Sequence, residues 1–141
     1  MSRLRAILLS SAMLAGCQSD EFGERSAPPS PELQRQYDLA FQEMLAQPGN
    51  LEVVFKYATV ATEAGDLEGA IAAMEGMLLI DSDLPRVRLQ LGILYYRLKS
   101  YEVARSYLQT ALQSPALSPD IRKLAEKLLA RIPDRPRTRR A

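Results

Sequence analysis

Apolar residues recur at spacings of three and four along most of the chain after Ser30, the pattern of helices with one buried face. Ser30-Pro31-Glu32 and Ser118-Pro119-Asp120 each combine a serine cap, a proline in the first turn and an acidic residue near the positive helix end. Other start signals are Asn50, Asp66, Pro85 and Ser100. The pattern predicts six helices, at 31–46, 51–64, 67–80, 85–98, 101–113 and 119–131.

Two consecutive helix pairs are similar to each other, with a 34-residue period. Small residues fall where the first helix of a pair approaches the second: Ala58 and Ala70, then Gly92 and Ala104. This period and these positions resemble the tetratricopeptide repeat. The resemblance implies an all-α fold, a short α-solenoid of helix-turn-helix repeats. The matched residues are Tyr57, Ala58, Ala61, Leu67, Ala70 and Leu78 against Leu91, Gly92, Tyr95, Tyr101, Ala104 and Leu112.

The resemblance also gives domain bounds. The full repeats are predicted at 51–84 and 85–118. Helix 31–46 is interpreted as the second helix of a degenerate leading repeat. Helix 119–131, apolar on one side and charged on the other, is interpreted as the solvating cap that such arrays require. The helical domain is therefore predicted at 31–132.

Residues 1–16 have the layout of a secretory signal peptide, with two arginines, an apolar run and small residues at the exit. The run is shorter than the roughly 20 apolar residues of a membrane span. Leu14-Ala15-Gly16-Cys17 resembles the lipobox of bacterial lipoprotein signal peptides. That resemblance implies a diacylglyceryl group on the Cys17 thiol, cleavage before Cys17 and acylation of the freed amine. An ordinary cleaved leader with an incidental cysteine is the alternative.

The residues around the helical domain predict where the chain is held. Gln18 follows the cysteine where an aspartate would favour retention in the inner membrane, so the resemblance implies the periplasmic face of the outer membrane. Residues 17–30, rich in Ser, Pro and acidic side chains, are predicted to form a flexible tether. Residues 133–141 are predicted to be a disordered basic tail, solvating by default and alternatively in contact with anionic lipid or another polyanion.

Composition excludes several kinds of chemistry. The chain has no histidine and one cysteine, so it lacks the usual general base, an internal disulfide and a multi-thiolate metal site. Asp81-Ser82-Asp83 lacks the further ligands of a calcium loop, and no phosphate-binding or nucleophile-elbow motif is present. With a formal net charge of +1, a global polyanion partner is not implied. We therefore predict no enzyme, no cofactor besides the covalent lipid, no nucleic-acid partner and no small-molecule substrate.

The resemblance places partner binding on the face formed by the first helices of the repeats, which is concave in this family. In helix 85–98 the apolar stripe of Leu89, Ile93 and Tyr96 has two interpretations: it packs against neighbouring helices, or it forms a groove flanked by cations that suits an acidic peptide. The predicted groove consists of Phe55, Lys56, Thr59, Arg86, Leu89, Gln90, Ile93, Tyr96, Arg97, Lys123 and Lys127. We call this set the first-helix face.

Three functions follow from these features, in descending order of support. The first is a lipid-anchored periplasmic scaffold that binds an envelope protein or peptide during envelope assembly or secretion. The second is a separate or truncated periplasmic half of an outer-membrane β-barrel transport machine. The third is an envelope hydrolase that needs no recognisable motif.

Overall fold

The computed structural model describes residues 28–133, and within them it contains six α-helices and no strand. The predicted signal segment, Cys17, most of the predicted tether and the tail beyond Pro133 lie outside the described residues. No helix between residues 28 and 133 has the length and apolar character needed to cross a bilayer. The helices are α1 (Pro31–Ala46), α2 (Leu51–Glu63), α3 (Leu67–Ile80), α4 (Pro85–Arg97), α5 (Tyr101–Leu112) and α6 (Pro119–Arg131).

The helix starts follow from local capping. The side chains of Ser30, Asn50 and Asp66 accept hydrogen bonds from backbone N–H groups three residues later, which satisfies donors that have no partner inside the helix. Ser100 and Ser118 also occupy N-cap positions, but their side chains make no capping bond. Each predicted start agrees with the structure, and each predicted end agrees within one residue, at Glu63, Arg97 and Leu112.

Each helix packs against the next one in the chain, from α1 to α6, in the manner of a repeat array. The small residues predicted at the close crossings, Ala58, Ala70, Ala104 and Gly92, are all buried. A β-carbon placed on Gly92 would lie 2.6 Å from Cγ of Leu108, so α4 and α5 approach as closely as a glycine allows. The all-α solenoid predicted from the 34-residue period is confirmed.

The core has two parts. The first joins α1 to α4 around fully buried Met74, Leu91 and Leu94. The second joins α4 to α6 around Leu108 and Ala125. Helix α4 contributes to both, so it carries two buried stripes and couples the first repeat to the second repeat and its cap.

Candidate functional site

The first-helix face is built by the same positions in successive helices. Phe55 and Thr59 of α2 lie on the side opposite buried Tyr57, because they are two residues before and after it in a helix of 3.6 residues per turn. The 34-residue period carries these two positions to Leu89 and Ile93 of α4 and to Lys123 and Lys127 of α6. The face therefore changes from aromatic and polar, through apolar, to basic along the array.

At the start of the face, Phe55 is covered by a cation. The Arg86 guanidinium carbon lies 5.0 Å from the centroid of the Phe55 ring, within the range of a cation–π contact. The same guanidinium lies 3.7 Å from a carboxylate oxygen of Glu52, and both side chains are mostly exposed. Arg86 therefore links α4 to α2 across this face. Thr59 donates its hydroxyl to the Phe55 carbonyl at 2.9 Å.

Lys56 is turned toward α1. Its ammonium lies 2.5 Å from a Glu43 carboxylate oxygen, and the pair is exposed to solvent. Lys56 also lines a groove of about 260 Å³ between α1 and α2, together with Leu39 and Val60. Because the Lys56 charge is already paired, it contributes less attraction to an acidic ligand than a free lysine would.

The middle of the face departs from the predicted groove at one residue. Leu89 is only 7% exposed and belongs to the second core with Leu117 and Ala125, so its side chain is not available to a partner. Ile93 and Tyr96 are half-buried against the same core, and the Tyr96 ring meets Tyr101 edge-on at 5.5 Å. The packing interpretation therefore holds for Leu89, whereas Ile93 and Tyr96 keep part of their surface at the face.

The end of the face is basic. Arg97, Lys123 and Lys127 are exposed, and no carboxylate of residues 28–133 lies within salt-bridge distance of them. Lys123 and Lys127 are one helical turn apart on α6, so their charges point the same way. Gln90 lies half-buried on α4 before this end. The exposed cations give the face an attraction for anionic groups at its α6 end.

Two tyrosine–carboxylate clusters were not predicted from the sequence. In the first, the Tyr37 hydroxyl donates to the Asp66 carboxylate at 2.6 Å and lies 3.2 Å from the Tyr57 hydroxyl. Asp66 also accepts from the Gly69 backbone N–H at 2.8 Å, so one carboxylate caps α3 and holds α1. The hydrogen bond to Asp66 raises the pKa of Tyr37, and burial raises the pKa of Tyr57.

The second cluster joins the two repeats. The Glu75 carboxylate of α3 accepts from the Tyr95 hydroxyl at 2.7 Å and from the Tyr107 hydroxyl at 3.3 Å, and the two rings stack at 5.6 Å. The hydrogen bond to Glu75 raises the pKa of Tyr95 to about 12, and burial raises the pKa of Tyr107. No period or motif could reveal this cluster, because its members lie 20 and 32 residues from Glu75 and only the fold brings them together.

Within residues 28–133 no group of three or more His, Cys, Asp or Glu side chains is placed to hold a metal ion. The shifted tyrosines hydrogen-bond to carboxylates inside the array, where they join helices to one another. What the first-helix face offers is a graded surface with a basic end.

Comparison with known proteins agrees with this architecture. The family model described as tetratricopeptide repeat matches residues 61–132. No curated protein sequence matches the chain. Among the solved structures that match is PcrH from Pseudomonas aeruginosa, with a TM-score of 0.54 and 16% sequence identity over 75% of this chain and 95% of that one. At that identity the likeness concerns the fold alone.

Proposed function

Because the chain belongs to the tetratricopeptide repeat family, we propose that it is a non-catalytic scaffold whose first-helix face binds an acidic segment of a protein of the bacterial envelope. Tetratricopeptide arrays are protein–protein interaction scaffolds, and their repeats present a continuous surface to a partner. The observation that supports the proposal is the change in side-chain chemistry along this face, from aromatic and polar at α2 to basic at α6. Half-buried Ile93 and Tyr96 are followed on α4 by exposed Arg97, and the positions of α6 that match Leu89 and Ile93 carry exposed Lys123 and Lys127.

The chemistry of this face selects the kind of partner. An extended or helical peptide gains affinity from apolar anchors and direction from charge. The remaining surface of Ile93 and Tyr96 provides a small apolar contact, and the cations that follow it favour carboxylates on one side of that contact. The covered Phe55 ring and the paired Lys56 add less charge at the α2 end. The partner is therefore expected to place its acidic residues toward α6.

Site-specific photo-cross-linking in intact cells tests the face. A photoreactive residue at Ile93 or Tyr96 should capture a defined envelope protein, whereas the same residue at Gln109 or Val103, exposed on α5, should not. Capture at the α5 sites with none at Ile93 and Tyr96 would overturn the proposed binding face. A captured β-barrel encoded without repeats of its own would favour the transport-machine alternative.

Charge reversal tests the partner's chemistry. Lys127→Glu should lower the cross-linking yield at Tyr96 several-fold, because it replaces an attraction to carboxylates by a repulsion. Glu126→Lys is the matched control. Glu126 precedes Lys127 in the sequence of α6, but its side chain leaves a different side of the helix. An unchanged yield in Lys127→Glu, with the partner still captured, would exclude an acidic ligand at this end.

The envelope location is a separate part of the proposal and rests on the leader and the lipobox-like segment before the helical domain. Two or three acyl chains on Cys17 would hold the scaffold at the membrane, since one chain alone gives only marginal binding. Mass spectrometry of the mature N-terminus should find a lipidated Cys17, and Cys17→Ser should release the chain from the membrane fraction. An unmodified Cys17 would refute the anchor while leaving the binding face untouched.

A further inference from the structure

The outward side of α3 is unusually apolar for a helix in water. Leu79 is 89% exposed and Ile80 is 64% exposed. The only charged side chains of α3 are Glu68 and Glu75, and Glu75 accepts hydrogen bonds from two tyrosines of the next repeat. A helix that is apolar on all sides is normally covered on all sides. Within the described residues α2 and α4 cover one side of α3, and Leu79 and Ile80 on its outward side stay exposed.

A groove of about 380 Å³ runs beside these exposed side chains, between α1 and α3. Phe41 and Met44 form its α1 wall, and Ala73 and Gly76 are part of its α3 wall. None of the described residues that line it is charged. We call the groove together with Ala72, Leu79 and Ile80 the α1/α3 face.

The second repeat shows that the fold itself does not require such a face. At the matching positions of that repeat, Tyr107, Thr110 and Gln113 replace Ala73, Gly76 and Leu79. The Tyr107 ring stacks on Tyr95 and its hydroxyl reaches Glu75, so this side of α5 is partly filled and polar. The apolar surface is therefore a property of the first repeat and calls for an explanation there.

Gly76 points to a close approach from outside the chain. Glycine inside a helix costs roughly 0.5–1 kcal/mol relative to alanine, and a close approach of another backbone can offset that cost. At Gly92 the need is internal, because a β-carbon there would collide with Leu108. At Gly76 a β-carbon would meet nothing within 4 Å, so the packing of this chain gives no reason for the glycine.

We propose that the α1/α3 face pairs with the same face of a second copy of the chain, with the two α3 helices antiparallel and crossing at Gly76. A two-fold axis at this position relates residues that lie equally far before and after it. Ala72 and Ala73 precede Gly76 by four and three residues, and Leu79 and Ile80 follow it by three and four. Each copy therefore sets its two large side chains over the two small ones of the other copy, with glycine against glycine at the centre.

The placing of large and small side chains on either side of Gly76 favours a second copy over another occupant. None of the described residues that form the face is charged, so no like charges meet near the two-fold axis. Helix α3 has 14 residues. At 1.5 Å per residue and a helix diameter of about 10 Å, a two-helix face covers roughly 400 Å² per copy. That area lies below the roughly 800 Å² per partner of a standard interface, so the dimer is expected to be reversible.

Disulfide trapping tests the pairing in the full chain. A two-fold axis at Gly76 brings residue 76 of each copy against itself, within the Cα separation of about 5.5–6 Å that a disulfide requires. Membranes from cells producing Gly76→Cys are oxidised and run on a non-reducing gel. We expect a species of twice the chain mass, several-fold above the level that wild type gives through Cys17. Thr110→Cys, at the matching position of α5, is the control and should stay at the wild-type level.

A second substitution tests the geometry. Ala73→Tyr in the Gly76→Cys chain places a ring in the groove, as Tyr107 does at the matching position of the second repeat. It should return cross-linking to the wild-type level. A circular dichroism spectrum that stays helical shows that the doubly substituted chain is folded. Equal cross-linking of Gly76→Cys and Thr110→Cys would overturn the proposal, because it would show that the disulfides form by random collision of chains. A cross-linked species of another mass would also overturn it, since the occupant would be a different protein. The proposal would likewise be overturned if Gly76→Cys gave no more cross-linked species than wild type.

Discussion

Gly76 in α3 and Gly92 in α4 should respond oppositely to the same substitution. A β-carbon on Gly92 would lie 2.6 Å from Cγ and 2.7 Å from Cδ2 of Leu108, whose side chain is fully buried and cannot swing into solvent. Overpacking of this kind costs about 1–3 kcal/mol, and the gain in helix stability of alanine over glycine returns roughly 0.5–1 kcal/mol. Gly92→Ala should therefore destabilise the fold by about 1–2 kcal/mol.

Gly76→Ala is the matched control, because it changes the same atoms in a helix where a β-carbon meets nothing within 4 Å. It should stabilise the fold by roughly 0.5–1 kcal/mol. For a domain of this size 1 kcal/mol corresponds to about 4 °C, so Tm should fall by about 4–8 °C in Gly92→Ala and rise by about 2–4 °C in Gly76→Ala. Thermal unfolding of dilute chain followed by circular dichroism measures both.

The first repeat supplies the rescue. Ala58 and Met74 occupy the positions that Gly92 and Leu108 occupy in the second repeat, and both are fully buried. Met is unbranched at the carbon where leucine divides, so it leaves room for the alanine methyl. Leu108→Met should thus recover about 1 kcal/mol in the Gly92→Ala background. The assignment of Gly92 to close helix packing would be refuted if Gly92→Ala were as stable as wild type. It would also be refuted if the double-mutant cycle of Gly92→Ala and Leu108→Met showed no coupling energy between the two positions.

Three further substitutions test the clusters and turns. The pKa of Tyr95 is raised above its unfolded value, so the stability that this tyrosine gives the fold is complete below pH 10 and is lost as pH rises toward 12. Tm should therefore fall between pH 10 and 12. The fall should be less steep in Tyr95→Phe, which has no hydroxyl to ionise. Lys99 has φ near 59° where Gly65, its match in the first repeat, has 87°, so Lys99→Gly should stabilise by about 1 kcal/mol in denaturant titration. Asp66→Ala removes a helix cap and the acceptor of the Tyr37 hydroxyl, and should cost about 1–3 kcal/mol in the same titration.

The sequence predicted the helices well because their boundaries are determined by neighbouring residues. Capping side chains act within three residues, and helix periodicity acts within one or two turns. The 34-residue period then added the packing order, since it showed which small residues had to meet. Gly92 is the clearest example, because its place in the period predicts a close crossing and in the structure Leu108 leaves no room there for a β-carbon.

The surface was predicted less well because exposure depends on distant residues. Leu89 has the same register position as Phe55, yet the second core, with Leu117 and Ala125, buries Leu89. The charge of Lys56 is paired with Glu43, thirteen residues earlier on α1. The sequence pattern of α2, which carries Lys56, does not predict that pairing. A residue's position in the repeat therefore identifies its side of the helix, while its availability to a partner depends on what the rest of the fold places over it.

Comparing the two repeats separates what the fold requires from what is particular to this chain. Positions that keep their character from one repeat to the next, such as Ala70 and Ala104, serve the common framework of paired helices. Positions that change while the backbone stays the same, such as Ala73 and Tyr107, are not explained by that framework. On the first-helix face such changes produce a basic end, and on the α1/α3 face they produce an uncharged surface. The two faces share no residue, so binding an acidic partner and pairing with a second copy are compatible in one molecule.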